Sequence, residues 1–237
     1  MLKMTIFRTP KMQMVAVLAA IWLTSWLHAG EIKLLLLLFL SLTAAIGSDF
    51  LFLKLRGKPL FFPSAAIVSG IIIALLISPD LPWYQILLSG LLAMWSKNYL
   101  RVSKRHIFNP AAFGLLVSGI ILKQNISWWG VSWQQLAGHP LAFIVLLTPF
   151  WISAWRVRRY FIQLAFLLIL IVFKASPLDP TLLFFAAVML PEPMTAPAKP
   201  TRQLVFGVTV ALLSLIPYFP DSLLVALLIS NVLFFKR

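Results

Sequence analysis

Leu34-Leu35-Leu36-Leu37-Leu38-Phe39-Leu40-Ser41-Leu42-Thr43-Ala44-Ala45-Ile46-Gly47-Ser48-Asp49-Phe50-Leu51-Phe52-Leu53 is a run of 20 residues with a single charge, Asp49, and basic residues on both sides, Lys33 before it and Lys54, Arg56 and Lys58 after it. About 20 apolar residues are what a helix needs to cross a bilayer core. Working outward, nine further apolar runs lie between charged or Pro/Gly breaks: Met12 to Leu27, Phe61 to Ser78, Trp83 to Ser96, Ile107 to Leu122, Leu141 to Trp155, Tyr160 to Phe173, Thr181 to Leu190, Leu204 to Phe219 and Ser222 to Phe235. Open strands would leave backbone groups unpaired in lipid, so these runs predict helices. Thr181 to Leu190 is too short to cross alone and predicts a half-helix or one that extends into its flanks. The chain of 237 residues is 61% hydrophobic and 11% charged with a mean hydropathy of +0.96, which fits the bilayer as its main solvent and leaves no room for a soluble catalytic domain. The fold class expected is an all-α integral membrane protein of about ten transmembrane helices, multi-pass in a bacterial-type cytoplasmic membrane.

The charge sorts with the topology. With the N-terminus in the cytoplasm, the inside connections hold Lys3, Arg8, Lys11; Lys54, Arg56, Lys58; Lys97, Arg101, Lys104, Arg105; Arg156, Arg158, Arg159; Lys199, Arg202; and Lys236, Arg237, which is 17 of the 20 basic residues. Lys33, Lys123 and Lys174 fall outside. This positive-inside asymmetry predicts both termini in the cytoplasm, and dropping one helix would destroy it. It also accounts for the net charge of +14 without nucleic acid. Met1 to Gly30 has the basic residues, apolar stretch and small-residue end (Ala29, Gly30) of a signal peptide; with nine apolar runs behind it, it reads as a retained first helix. The absence of cysteine excludes disulfides, thiolate zinc and iron-sulfur clusters ligated by this chain.

Two strings repeat. Leu76-Ile77-Ser78-Pro79-Asp80-Leu81-Pro82-Trp83 closes the third run, and Met189-Leu190-Pro191-Glu192-Pro193-Met194-Thr195-Ala196-Pro197 closes the eighth. Each is an apolar run ended by Pro, a carboxylate and further Pro, third in a set of five. Five is odd, so a second set would be inverted, the pattern of an inverted-topology repeat framing a site; equally, Pro ends helices at membrane surfaces. The expected organisation is one polytopic domain, 1–237, with five-helix repeats at 1–122 and 141–237 joined by an external connection at 123–140.

Two stretches carry a resemblance. Lys54-Leu55-Arg56, Ser64-Ala65-Ala66-Ile67-Val68-Ser69-Gly70 through Trp83, Lys97, and Phe108-Asn109-Pro110-Ala111-Ala112-Phe113-Gly114 form the first; Phe184-Phe185 through Pro197, Arg202-Gln203-Leu204-Val205-Phe206-Gly207 and Tyr218-Phe219-Pro220-Asp221 form the second. Together they resemble the NqrB/RnfD family, membrane subunits of sodium-pumping quinone reductase and of the Rnf electron transport complex. The resemblance implies a ten-helix inverted repeat, partner redox subunits, and riboflavin or FMN in the helix bundle. Departures are specific. The family's Ser-x-Ala-Thr motif, whose threonine takes FMN through a phosphoester, has no counterpart, so covalent FMN is not expected. The family's glycine-rich run before Phe-Asn-Pro-Ala is Arg101-Val102-Ser103-Lys104-Arg105-His106, and its usual aspartate before the threonine is Glu192.

On the resemblance, a noncovalent flavin would draw on Lys97, Asn109, Pro110, Thr195, Trp128 and Trp129, with Glu192 and Asp49 handling ions or protons. Each has a plainer reading. Asn109 can cap a helix, as can Thr195. Glu192 can pair with Lys199 or Arg202, and Asp49 can reach Lys54 or Arg56. Trp128, Trp129 and Trp133 can anchor at the interface or cover a flavin or quinone. His28, His106 and His139 sit at segment ends on different sides, which speaks against bis-histidine haem. Three functions compete: a redox subunit in a complex, a solute or ion pore on the same scaffold, and a structural partner of other redox proteins.

Overall fold

The computed structural model describes residues 9–103, 105–132, 140–173, 179–217 and 220–235. Lys3, Arg8, Lys104, Trp133, His139, Lys174, Tyr218, Phe219, Lys236 and Arg237 lie outside them. The described chain forms ten helices: α1 (Pro10–Ala29), α2 (Lys33–Leu55), α3 (Ser64–Leu76), α4 (Trp83–Tyr99), α5 (Pro110–Leu122), α6 (Pro140–Arg156), α7 (Tyr160–Phe173), α8 (Pro180–Phe184, continuing as a π-helix through Phe185–Met189), α9 (Pro200–Ser214) and α10 (Ser222–Phe234). Each expected run has its helix, with ends shifted by a few residues. The largest shift is the ninth: in place of Leu204 to Phe219, α9 begins at Pro200 and stops at Ser214. Proline tolerates a first helical turn, where its missing N–H costs nothing, so the Pro that marks a break in the sequence starts the helix instead.

Capping sets several starts. Thr9, Asn109, Asp179 and Asp221 each accept a backbone N–H from the first turn of α1, α5, α8 and α10. The all-α expectation omits one element, a short antiparallel hairpin of β1 (Arg101–Val102) and β2 (Arg105–His106), which pairs Arg101 with His106 and Val102 with Arg105. It occupies the family's glycine-rich position, and Ser103 supplies its left-handed turn residue (φ 57°).

Two helices, Lys11–Ala29 within α1 and Lys33–Leu55, are long and apolar enough by themselves to cross a membrane. α3 has 13 residues and α8 with its π extension 10, about 20 and 15 Å against a core of about 30 Å. The outer surface is apolar: on α7, Leu164, Leu168 and Val172 are 52%, 59% and 74% exposed one turn apart, a stripe that suits lipid rather than water. The interior is also apolar, with Phe166, Phe184, Phe185 and Phe206 fully buried.

Packing follows one scheme twice. α2 lies on α4 and α4 on α5; α7 lies on α9 and α9 on α10. α1 touches α3 as α6 touches α8, and the two sets meet through α5 against α10 and α1 against α6. Gly90 of α4 brings that helix onto Ala44 of α2, and Gly207 of α9 brings that helix onto Ile162 and Ala165 of α7; each is the eighth residue of its helix.

Candidate functional site

The two sets of helices are stitched together where the hairpin and the start of α5 meet the loop after α8. Arg105 donates from Nε to the Met194 carbonyl (2.8 Å) and from Nη2 to those of Pro193 (3.1 Å) and Ala196 (3.2 Å). Its neighbour His106, buried, meets Glu192 with Nε2 2.9 Å from Oε1. Thr195 Oγ1 reaches Glu192 Oε2 at 3.4 Å. Asn109 caps α5 by accepting the Ala112 N–H (3.1 Å), while its own N–H donates to Asn231 Oδ1 of α10 (3.1 Å) and its amide nitrogen approaches the Met189 carbonyl at the end of the π-helix (3.5 Å). Pro110 follows as the first residue of α5, buried. A buried loop needs such partners for its backbone groups, because water is not there to supply them.

A second cluster joins α2 to α4 at the same end of the bundle. Asp49, fully buried, receives two hydrogen bonds from Lys97 Nζ (2.9 and 2.8 Å) and one from Asn98 Nδ2 (2.9 Å). Asn98 also donates to the Met94 carbonyl (3.0 Å). Burying an isolated carboxylate is prohibitive, so three donors and an opposite charge are what keep it there.

The third place is the opposite end. Ser127 and Trp128 donate their backbone N–H groups to the Leu76 carbonyl (3.1 and 3.0 Å), Gly130 donates to that of Leu75 (2.9 Å), and Trp129 Nε1 to that of Ala74 (2.8 Å). These bonds satisfy the last carbonyls of the short α3, which otherwise end inside the bundle. Trp128 Nε1 donates to Asp221 Oδ2 (2.7 Å), and its ring meets Phe185 edge-on at 6.3 Å. Burial pushes the Asp221 carboxyl above the usual carboxylate range, against the pull of the Leu224 N–H and the Trp128 indole.

Several expectations are corrected by these contacts. Glu192 pairs with His106 and not with Lys199 or Arg202, because the hairpin carries His106 over the loop. Asp49 bonds Lys97 rather than Lys54 or Arg56, since its side chain faces α4. Trp128 is buried within the bundle instead of anchoring at an interface. Asn109 is a helix cap, in keeping with its plainer reading. Asn109, Pro110, Thr195 and Glu192 come together; Lys97 and Asp49 form a separate cluster; Trp128 and Trp129 lie at the far end. The six candidate flavin contacts therefore lie in three separate places. An open groove of about 450 Å³ runs between α2 and α4 past Thr43, Ala44, Gly47, Ser48, Leu87 and Leu91 and includes none of them. With their polar atoms already engaged, these residues do not fit a flavin as one site. Sequence reasoning missed Arg105, His106, Asn98 and Asn231 as site residues; the only sequence signal for the first two is their substitution for a glycine run.

The sequence profile of the NQR2, RnfD, RnfE family matches residues 3–142, which carry α1 to α5 together with Asp49, Lys97, Asn109, Pro110, Trp128 and Trp129, while Glu192 and Thr195 lie beyond the match. A protein from Aeromonas hydrophila subsp. hydrophila, named as a component of the ion-translocating oxidoreductase complex, is 28% identical over 153 residues, covering 60% of this chain and 41% of that protein. The chain thus spans about two fifths of the length of this relative. With more than half of its residues matched by the family profile, the chain belongs to the NQR2, RnfD, RnfE family.

Proposed function

We propose that this chain is a membrane subunit of an ion-translocating electron-transfer complex, built as two oppositely oriented five-helix halves, 1–122 and 141–237, with ten membrane crossings or half-crossings and both termini in the cytoplasm. The observation that carries the role is the family match over residues 3–142, on the helices that bury Asp49 against Lys97. The inverted repeat is supported by the doubled packing scheme, by Gly90 and Gly207 at equivalent places, and by the short third helix of each half ending in a Pro-flanked carboxylate. Asn109 and Asp221, which cap the fifth helix of each half, add to it.

In this reading Asp49 and Glu192 handle the ion or proton. Each is a carboxylate held by a base, Lys97 and His106, so a charge moving past can be taken up without leaving a bare buried ion. The Arg105 clamp and the Glu192 pair hold the two halves in register around them. Electron carriage by a flavin wholly inside this chain forms no part of the proposal, because the candidate contacts do not converge. The partners are other subunits of the complex, whose carriers this chain holds in the membrane.

Affinity purification of the tagged chain from its own membranes in mild detergent tests the role: flavin or iron-sulfur subunits should co-purify in fixed ratio, and a chain that emerges with no redox partner would overturn the proposal. The same preparation tests the cofactor. Stoichiometric flavin absorbance in the isolated chain would return electron transfer to it.

A further inference from the structure

The six carboxylates of this chain are all committed. Glu31 and Asp80 meet Lys33, Asp49 meets Lys97, Glu192 meets His106, and Asp179 and Asp221 cap α8 and α10. A half-enclosed crevice of about 150 Å³ nevertheless opens at the hairpin end between the loop before α9 and the end of α10, its lining including Arg105, Lys199, Arg202, Thr195, Phe234 and Phe235. The bonds of Arg105 use Nε and Nη2, leaving Nη1 uncommitted. Pro200 opens α9 between Lys199 and Arg202, and its first-turn N–H groups add a partial positive charge. Close by, Arg159 has a buried Nε with no acceptor, and burial followed by the like charge of Arg105 lowers its pKa. Three cations from both halves of the molecule thus line one concavity with two aromatic rings and no acidic side chain, the neighbouring Glu192 behind Thr195 being paired with His106.

We infer that this crevice binds a phosphate-bearing anion, and that the aromatic wall favours an anionic phospholipid, its headgroup among Arg105, Lys199 and Arg202 and its chain along Phe234 and Phe235. Arg105 comes from the first half and Lys199 and Arg202 from the second, so the ligand would brace the junction that the Glu192–His106 pair also spans. A soluble phosphate would use the same three cations without the aromatic wall. The inference stands on the crevice itself and is independent of the electron-transfer role and of membrane orientation.

Dissociation constants measured on the full chain in detergent micelles, with dioctanoyl phosphatidylglycerol, inorganic phosphate and dioctanoyl phosphatidylcholine as probes, test it. Phosphatidylglycerol should bind the wild type, and the Lys199→Gln/Arg202→Gln double variant should bind it about tenfold or more weakly, from the contribution of two cations near a headgroup. The Lys54→Gln/Lys58→Gln variant makes the same charge change at exposed residues away from the crevice and should change affinity less than about twofold. Tighter binding of phosphatidylglycerol than of inorganic phosphate by the wild type assigns the site to lipid; inorganic phosphate binding as tightly as the lipid, with the same loss in the double variant, overturns the lipid assignment in favour of a soluble anion. Equal losses in the two double variants, equal binding of phosphatidylcholine, or binding of an acidic peptide to the exclusion of both phosphate probes would overturn it. Size-exclusion profiles identify any variant that has not folded.

Discussion

Asp49 is the one charged residue among the buried positions of its helix, and its partners come from a helix 48 residues on. Removing one member of a buried ion pair leaves an uncompensated charge, whereas replacing both by apolar residues removes the desolvation cost with the attraction. Lys97→Met is therefore expected to destabilise the protein by about 3–5 kcal/mol, while Asp49→Leu/Lys97→Met melts near the wild type in detergent; if the double variant is as unstable as the single one, the pair is not what joins α2 to α4. The double variant, folded but without the carboxylate, should also lose ion-coupled activity in the assembled complex. At Asp221 the sign of the pH dependence follows from burial. Its folded pKa is raised, so the folded state keeps the proton longer, and the stability this contributes is full below the unfolded carboxylate pKa and lost as pH rises through the folded value. Asp221→Ala, which deletes the cap of α10, should cost about 1 kcal/mol, and the melting-temperature advantage of the wild type over it should be larger at acid than at neutral pH. A constant difference across pH would show that the carboxyl is not desolvated. Asp49 and Glu192 were legible as candidates because carboxylates are so few in an apolar chain. Their partners were not, because Lys97 and His106 lie 48 and 86 residues away along the chain and nothing in local spacing reports on contacts between elements.

Helices were legible because lipid leaves a spanning segment no other way to satisfy its backbone, so apolar runs translate almost directly into elements. The hairpin was not legible, since two-residue strands carry no periodicity. Neither was the π-helix at Phe185–Met189, which tertiary packing against Gln163 and Trp128 accompanies: Gln163 Nε2 donates to the Ala186 carbonyl at 3.1 Å. What ranks the helix pairs is the depth of their approach, and the glycines mark it. A Cβ on Gly207 would collide with the Ile162 carbonyl and stand 2.9 Å from the Ala165 Cβ, whereas one on Gly47 in α2 would meet nothing within 4 Å. Gly207→Ala is expected to separate α9 from α7 and destabilise by about 1–3 kcal/mol. Gly47→Ala should leave stability unchanged or raise it by up to about 1 kcal/mol through helix propensity alone. Thermal melts of the two variants side by side check this, and equal destabilisation would mean that the α2–α4 groove is filled by something beyond this chain.

At the scale of the whole molecule, the doubled packing scheme and the distribution of basic residues both bear on the proposed topology. In each half the third helix is too short to cross alone, yet its carbonyl end is received by another segment: Ser127 to Gly130 at α3, and Asn109 with the Arg105 clamp at α8 and its loop. α5 and α10 run antiparallel, since Asn109 at the start of α5 lies beside Asn231 near the end of α10 while Asp221 at the start of α10 meets Trp128 after α5, and this is the arrangement that oppositely oriented halves would require. Four helices, α6 to α9, lie between them, an even number, as an antiparallel pair requires if each crosses, and the proposed topology would put the basic connections at Lys54 to Lys58 and Arg156 to Arg159 on one face. Reporter fusions after Lys58, after Arg158 and at the C-terminal tail are expected to read cytoplasmic, and fusions after Asp80 and Asp179 external. A tail and an Arg156 connection on different sides would break the antiparallel arrangement of α5 and α10, and with it the junction at which Arg105, His106 and Glu192 meet.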